Sequence, residues 1–264
     1  MCIFIKIKLF YFFCVISYFL VFIFTKLFTN DSLFWMTLKN TFVFSVLLVP
    51  LNLVLALLLA LDLGDGGFGT RFTRTVIFLP VVTSGVAWAI VWKYLLQSGT
   101  AGPVNYFLSL LGIEGPNWLT DKNWAMISVV VNRVLKNLGT NVLIFYGAVM
   151  NMPQDVIEAA RIDGLSEYGI WARIMLPLSK AAIATLVIFT FVGTWNDYMG
   201  PMIYLTRDIN KTVQVGLRRF IQENSSDYHL IMAASLCSLL PVSIVFLCLQ
   251  KYFIEGIATS GLKG

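Results

Sequence analysis

The chain has 264 residues, of which 58% are hydrophobic and 12% charged, and its mean hydropathy is +0.80. Soluble domains carry about 25% charged residues, so this composition excludes an ordinary water-soluble domain and indicates a membrane protein. The net charge is +5, and the chain contains one histidine and four cysteines. One histidine excludes metal sites that need two imidazoles, and cysteines without CxxC spacing indicate neither a metal site nor a disulfide framework.

Six apolar segments are long enough to cross the hydrocarbon core of a bilayer, which takes about 20 residues per helix. They cover residues 3–25, 37–61, 75–97, 124–150, 182–205 and 229–253. The runs are continuously apolar and do not alternate at period two, which excludes a β-barrel, and only helices pair all backbone groups in lipid. We therefore predict an all-α integral membrane protein, a polytopic bundle of six transmembrane helices.

The amino-terminal segment begins with lysines and an apolar run, as a secretory signal does. It is too long for the apolar part of a signal and shows no small-residue cleavage site, so we expect an uncleaved first span. Six spans bring both termini to the same side of the lipid bilayer. The distribution of Lys and Arg among the loops favours placing that side in the cytoplasm.

Two connecting segments carry patterns of their own. Loop 62–74 contains a GxGxxG spacing, but membrane spans flank it and the lysine of a P-loop is absent, so it predicts a cytoplasmic turn and no nucleotide site. Loop 98–123 contains a short amphipathic stretch that predicts an interfacial helix ending at Gly112.

Loop 151–181 is far longer than a connector requires. Pro153, followed by acidic and amide side chains, predicts the first turn of a helix. Gly164 is suited to end that helix, Ser166 to cap a second one, and Pro177 to stop or kink it. A loop of this size with its own structure predicts a contact with a partner.

The first short helix of this loop suits a groove on a partner protein. Ala159 and Ala160 leave little bulk on it, while Val156, Ile157 and Ile162 offer apolar anchors. This combination is typical of helix-in-groove recognition.

The same loop resembles a known family signature, EAAxxxG followed after nine residues by IxLP. The matching positions are Glu158, Ala159, Ala160, Gly164, Ile174, Leu176 and Pro177. This pattern resembles the permease subunits of binding-protein-dependent ABC importers. Flanking stretches, which cover nearly all of the chain after residue 30, resemble the carbohydrate branch with its maltose and glycerol-phosphate permeases; they are residues 74–96, 115–125, 143–164, 194–205 and 250–264.

The resemblance implies the ABC importer type I permease fold, with residues 1–30 as a first transmembrane helix and amino-terminal segment and residues 31–264 as the permease core. It implies a cytoplasmic EAA coupling-helix loop (151–181) that docks on an ATP-hydrolysing subunit, since the chain has no Walker motif. The implied ATPase contacts in the loop are Glu158, Ala159, Ala160, Asp163, Gly164, Ile174, Leu176 and Pro177. Those in the carboxyl-terminal tail are Glu255, Gly256 and Lys263.

The partners implied by the resemblance are two copies of an ABC ATPase subunit, a second permease subunit and an extracytoplasmic solute-binding protein, in the inner membrane of a bacterium. No cofactor is expected on this chain, because ATP and Mg²⁺ are used by the ATPase, and no nucleic acid is expected as a partner. The first half of the chain resembles one of the two permeases that pair in such importers, and the part after about residue 185 resembles the other. Pairing with a second copy of this chain is therefore an alternative to a different second permease.

Charges within predicted spans are costly and point to function. Arg133 and Lys136 share one face of the fourth span, and with Asn132 they are candidates for a translocation path. Their alternative role is pairing at a subunit interface. Trp88 and Trp92, one turn apart in the third span, are interpreted as packing aromatics.

The fifth span contains a second candidate stretch for the translocation path: Trp195, Asn196, Asp197 and Tyr198. Aromatic faces beside hydrogen-bonding groups are suited to a sugar. The alternative is packing near the outer interface, with Asp197 capping a helix or pairing a cation. Other functional readings are an importer for peptides, amino acids or an ion, and a channel or scaffold without an ATPase. An intramembrane enzyme lacks any catalytic constellation in the sequence.

Overall fold

The computed structural model describes residues 18, 21–29, 31–62, 68–150, 152, 154–218 and 228–261. Most of the predicted first span, residues 3–25, and the centre of the glycine-containing loop lie outside these residues. Within them the chain is helical nearly throughout and contains no strand, as the predicted all-α fold requires.

Thirteen α-helical segments follow one another along the described residues. They are α1 (21–29), α2 (Ser32–Asp62), α3 (Phe68–Val82), α4 (Gly85–Leu95), α5 (Pro103–Leu110), α6 (Trp124–Met150), α7 (Gln154–Ile162), α8 (Glu167–Ile170), α9 (Leu176–Leu178), α10 (Lys180–Trp195), α11 (Met199–Tyr204), α12 (Val213–Leu217) and α13 (Tyr228–Gly261). A π-helical turn, Trp171–Met175, joins α8 to α9.

The long helix α2 lies at the centre of the bundle. Its start is capped by Asp31, whose Oδ1 accepts hydrogen bonds from the backbone N–H groups of Leu33 and Phe34, both at 3.0 Å. The helix packs against α6, α10 and α12, and α13 packs along α10. By length and composition α2 and α13 can each cross a membrane. Each of two bent helix pairs can form one further span: Phe72–Val82 with Gly85–Leu95, and Tyr168–Leu178 with Lys180–Tyr204. The count of six spans stays a prediction.

The predicted continuous spans 75–97 and 182–205 are wrong as single helices. The first is divided into α3 and α4, which meet at an angle of 108° after Thr83. The second ends as a regular helix at Trp195 and resumes as α11 at Met199. In the second break the Oδ1 atom of Asp197 accepts a 3.4 Å hydrogen bond from the N–H of Gly200, a side-chain bond that competes with continued helix.

A buried polar network ties the three central helices together. The Nδ2 group of Asn141 on α6 donates to the Oδ1 atom of Asn52 on α2 at 2.8 Å and to the Oγ1 atom of Thr190 on α10 at 3.2 Å. All three side chains are buried. Such bonds between membrane helices contribute about 0.6–2 kcal/mol each, and they fix which faces of the helices meet.

Close approach of α3 and α6 depends on Gly139. A Cβ atom built at Gly139 would lie 2.5 Å from the carbonyl oxygen of Ile77 and 2.6 Å from Cγ2 of Val81. Small residues at such crossings allow two backbones to pack without intervening side chains.

We expect Gly139→Ala to lower the melting temperature of the detergent-purified protein, because its methyl group must push α3 away from α6. The matched control is Gly147→Ala on the same helix, where an added Cβ has no neighbour within 4 Å among the described residues. That control should be neutral or stabilising, since Ala favours a helix over Gly by about 1 kcal/mol. Equal melting temperatures for the two variants would contradict the close approach.

Candidate functional site

A group of polar side chains, called the polar cluster below, surrounds the two helix breaks. It consists of Trp88, Asn132, Arg133, Lys136, Asp197 and Tyr204. The Nε atom of Arg133 on α6 lies 3.3 Å from Oδ2 of Asp197, which is in the break between α10 and α11. The contact is an ion pair without hydrogen-bond geometry, since neither atom has a hydrogen-bond partner among the described residues. It links α6 to the second broken span.

Lys136 links α6 to the first broken span. Its ammonium group donates hydrogen bonds to the carbonyl oxygens of Pro80 and Thr83, at the end of α3. The same nitrogen lies 5.7 Å from the centre of the Trp88 ring on α4. The last carbonyls of a helix lack partners within it and carry partial negative charge, so a cation stabilises them. One ammonium group thereby contacts both halves of the broken span.

Asn132 completes the polar cluster. Its Oδ1 atom accepts hydrogen bonds from the indole N–H of Trp88 at 3.3 Å and from the hydroxyl of Tyr204 at 3.1 Å. Its Nδ2 group is buried and has no partner among the described residues. A small cavity of about 50 Å³ lies beside these groups. This volume has room for water, which takes about 30 Å³ per molecule in the liquid, and not for a sugar.

The structure brings only part of the predicted translocation path together. Asn132, Arg133 and Asp197 meet in the polar cluster, as do Trp88 and Tyr204, which the sequence did not indicate as site residues. Trp88 was interpreted as a packing residue, and Tyr204 carries no local signal because its partner Asn132 is 72 positions away.

The other predicted path residues point elsewhere. Trp195 is 1% exposed, stacks on Phe191 and donates its indole N–H to the carbonyl oxygen of Ser238 at 2.8 Å, so its ring joins α10 to α13 and presents no free face. Asn196 accepts a 3.1 Å hydrogen bond from Gln214. The hydroxyl of Tyr198 accepts a hydrogen bond from Arg218. Trp195 is therefore a packing residue, which is the alternative interpretation of this stretch.

The coupling loop has the predicted helix, turn and helix. At the end of α7 the N–H of Gly164 donates to the carbonyl of Arg161 and the N–H of Leu165 to that of Ala160, both at 3.0 Å. This pair of bonds is a Schellman motif, and it requires the positive φ of 80° that Gly164 adopts. The hydroxyl of Ser166 accepts a 3.2 Å hydrogen bond from the N–H of Gly169 at the start of α8. Both cap predictions are confirmed.

One face of α7 is open to a partner. Asp155, Glu158, Ala159 and Ile162 recur at intervals of three and four residues and are all exposed, with Ile162 at 82%. Ala160 is buried.

The remaining predicted ATPase contacts differ in exposure. Asp163, Gly164 and Pro177 are exposed, and Ile174 and Leu176 are half-buried. In the carboxyl-terminal tail, Glu255 and Gly256 lie on α13, and Lys263 lies outside the described residues.

The chain is similar to several sugar permeases. It is 35% identical over 168 residues to the lactose transport system permease protein LacF of Rhizobium radiobacter, covering 62% of this chain and 56% of LacF. It is 26% identical over 241 residues to the arabinooligosaccharides transport system permease protein AraQ of Halalkalibacterium halodurans, covering 91% of this chain and 78% of AraQ. It is 40% identical over 113 residues to the melibiose/raffinose/stachyose import permease protein MelC of Bacillus subtilis, covering 43% and 41%. The LacF alignment thus spans about half of that relative's length.

Solved structures share the fold. A chain of a bacterial ABC transporter involved in the import of the acidic polysaccharide alginate superposes with a TM-score of 0.78 at 21% identity, covering 88% of this chain and 82% of that one. A chain of the MetNI methionine ABC transporter, in an inward-facing conformation, superposes with a TM-score of 0.57 at 14% identity, covering 84% and 93%.

The family match covers most of the chain and includes the polar cluster and the coupling loop. Residues 52–259 match the family described as "Binding-protein-dependent transport system inner membrane component". The protein therefore belongs to the family of inner membrane components of binding-protein-dependent transport systems.

Proposed function

We propose that this chain is a transmembrane permease subunit of an ABC importer, which forms the translocation path for a sugar or sugar derivative. The observation that carries the proposal is the exposed face of α7, which presents Glu158 and Ala159 of the EAA signature outside the bundle. The names of the relatives, which transport lactose, arabinooligosaccharides and melibiose, support a carbohydrate as the cargo.

The proposed partners are two copies of an ATPase subunit, which bind ATP and Mg²⁺, a second permease or second copy of this chain, and an extracytoplasmic binding protein. A similar alginate transporter is described in complex with a periplasmic protein that holds an alginate pentasaccharide, which supports the last of these. In this arrangement the protein spans the bacterial inner membrane with both termini and the coupling loop in the cytoplasm.

In the proposed function the coupling loop acts as a lever on the bundle. Its first helix, α7, follows α6 along the chain and leads through α8 and α9 to α10. The helix α6 is about 40 Å long at 1.5 Å per residue, and it carries Arg133 and Lys136, which contact the two helix breaks. A movement of α7 that follows closure of the ATPases would reach both breaks through one rigid helix. ATP drives the change because it binds more tightly to one of the two states.

The charge of the polar cluster favours one second candidate for the cargo, an acidic sugar derivative. Arg133 and Lys136 give two positive charges and Asp197 gives one negative charge, so the cluster has an excess of one positive charge. The chain is 36% identical over 124 residues to the sn-glycerol-3-phosphate permease protein UgpE of Salmonella typhi, covering 46% of this chain and 44% of UgpE.

The direct test of the proposed function is purification of the tagged chain from its native membrane under mild conditions. We expect an ABC ATPase and a second permease, or excess copies of this chain, to co-purify. Uptake of lactose, raffinose and sn-glycerol 3-phosphate by cells with and without the chain then tests the cargo. A membrane complex without any ATPase would support the channel or scaffold alternative instead.

We predict that Glu158→Lys abolishes co-purification of the ATPase and reduces ATP-driven uptake at least tenfold, because it reverses a charge on the exposed face of α7. The melting temperature of the permease should stay the same, since Glu158 is exposed. The matched control is Glu114→Lys, which makes the same change at an exposed position in the loop before α6, at the opposite end of that helix. Normal ATPase binding by Glu158→Lys would show that this face is not the docking surface.

We predict that Asp197→Ala lowers both assembly and uptake, because it leaves the Arg133 side chain beside a mostly buried site without its counter-charge. The double variant Arg133→Ala/Asp197→Ala removes both charges and should recover assembly, as measured by the yield and melting temperature of the complex. If the pair lines the path, the double variant still transports at least tenfold more slowly than the native chain. Native transport by the assembled double variant would assign the pair a structural role alone.

A further inference from the structure

A second cavity, called the outer cavity below, opens at the end of the bundle away from the coupling loop. Its volume is about 390 Å³, and its lining includes Lys93, Tyr94, Gln97, Thr120, Tyr204 and Thr206. It lies just before the start of α6, and that helix runs about 40 Å from here to the coupling loop. With the coupling loop in the cytoplasm, the outer cavity faces the side from which solute arrives.

The chemistry of the outer cavity suits a hydroxyl-rich solute. Tyr94 is 61% exposed and offers an aromatic face, and Lys93, Gln97 and the two threonine hydroxyls offer hydrogen bonds around it. Ligand sites are typically mostly apolar concavities of about 300–1,000 Å³ with a few polar groups, and the outer cavity falls within that range. The ammonium group of Lys93 would also accept an acidic sugar derivative.

Tyr204 forms a common wall between the outer cavity and the small cavity of the polar cluster. It lines both cavities and is 2% exposed. Its ring lies in a hydrophobic cluster with Phe44, Leu48 and Val129, and its hydroxyl donates to Asn132 at 3.1 Å. The side chain is therefore held both by packing and by a hydrogen bond.

The two volumes indicate where a solute can be in this conformation. About 50 Å³ at the polar cluster admits only water, whereas about 390 Å³ in the outer cavity admits a small ligand. A solute that continues inward must displace Tyr204 and enlarge the polar cluster.

We propose that the outer cavity is a binding site for the incoming hydroxyl-rich solute, and that Tyr204 closes it off from the polar cluster. The proposal rests on the proposed function, because it takes the cargo and the direction of transport from it. The site differs from the polar cluster, in which Arg133 and Asp197 are candidate path residues.

The barrier is tested by cysteine labelling in the assembled transporter, with the native cysteines replaced by serine. Gln97→Cys reports on the outer cavity and Val129→Cys on the small cavity, since each position lines only the one. We expect a membrane-impermeant methanethiosulfonate, added from outside, to react with Gln97→Cys at least tenfold faster than with Val129→Cys. Adding Tyr204→Ala should raise the rate at Val129→Cys at least tenfold and leave that at Gln97→Cys unchanged.

Tyr204→Phe is the second variant for this test, because it keeps the ring and removes only the hydrogen bond to Asn132. It should assemble like the native chain and raise the rate at Val129→Cys less than Tyr204→Ala does. Equal rates at Val129→Cys in the native, Phe and Ala backgrounds would overturn the barrier role. An unreactive Gln97→Cys would overturn the accessibility of the outer cavity.

Solute binding is tested by Tyr94→Ala, measured as uptake of whichever of lactose, raffinose or sn-glycerol 3-phosphate the importer transports. We expect the half-saturating concentration to rise at least fivefold. The matched control is Tyr106→Ala on α5, which removes a tyrosine of similar exposure, 50%, outside the cavity lining. Unchanged half-saturation in Tyr94→Ala would contradict the binding site. If the native importer takes up none of these three solutes, the proposed cargo is contradicted instead. The labelling rates do not depend on a solute, so they still decide the role of Tyr204.

Discussion

Two cations on one turn of α6 stabilise the points at which two neighbouring spans are broken. Arg133 pairs with Asp197 in the break before α11, and Lys136 donates to the carbonyls of Pro80 and Thr83 in the break after α3. A broken helix within a membrane leaves backbone groups without partners, and lipid cannot satisfy them. In the first break the ammonium group of Lys136 donates hydrogen bonds to two backbone carbonyls. In the second break Arg133 pairs with a side chain, the carboxylate of Asp197.

This arrangement makes the two broken spans depend on the position of one helix. α6 also leads into the coupling loop, and the network of Asn141, Asn52 and Thr190 holds it against α2 and α10. Gly139 brings α6 close to α3. A shift of α6 would alter the contacts of Arg133 and Lys136 together, so both breaks and the cavity between them would respond to the same movement. In the proposed function, a rigid α6 would be enough to carry a movement of the coupling loop to both breaks.

The coupling loop was predictable from the sequence because its structure depends on local chemistry. Gly164 ends α7 through a conformation that favours glycine, and Ser166 caps α8 with its own hydroxyl, so neither requires information from distant residues. Hydropathy also located the long helices α2 and α13. The spans 75–97 and 182–205 were predicted without their breaks, because hydropathy averages over a window. It registers neither the bond between Asp197 and the N–H of Gly200 nor a cation contributed by another helix.

The sequence by itself determined that this is a helical membrane protein with a capped loop that carries the EAA signature. Those features follow from the length of the apolar segments and from residues that cap or end a helix through the nearby backbone. Only the tertiary structure decided which polar residues meet. It buried Trp195 against α13, and it joined Asn132 to Tyr204 across 72 positions and Lys136 to Thr83 across 53. These contacts depend on how helices pack, and no local pattern specifies which face of one helix lies against which face of another.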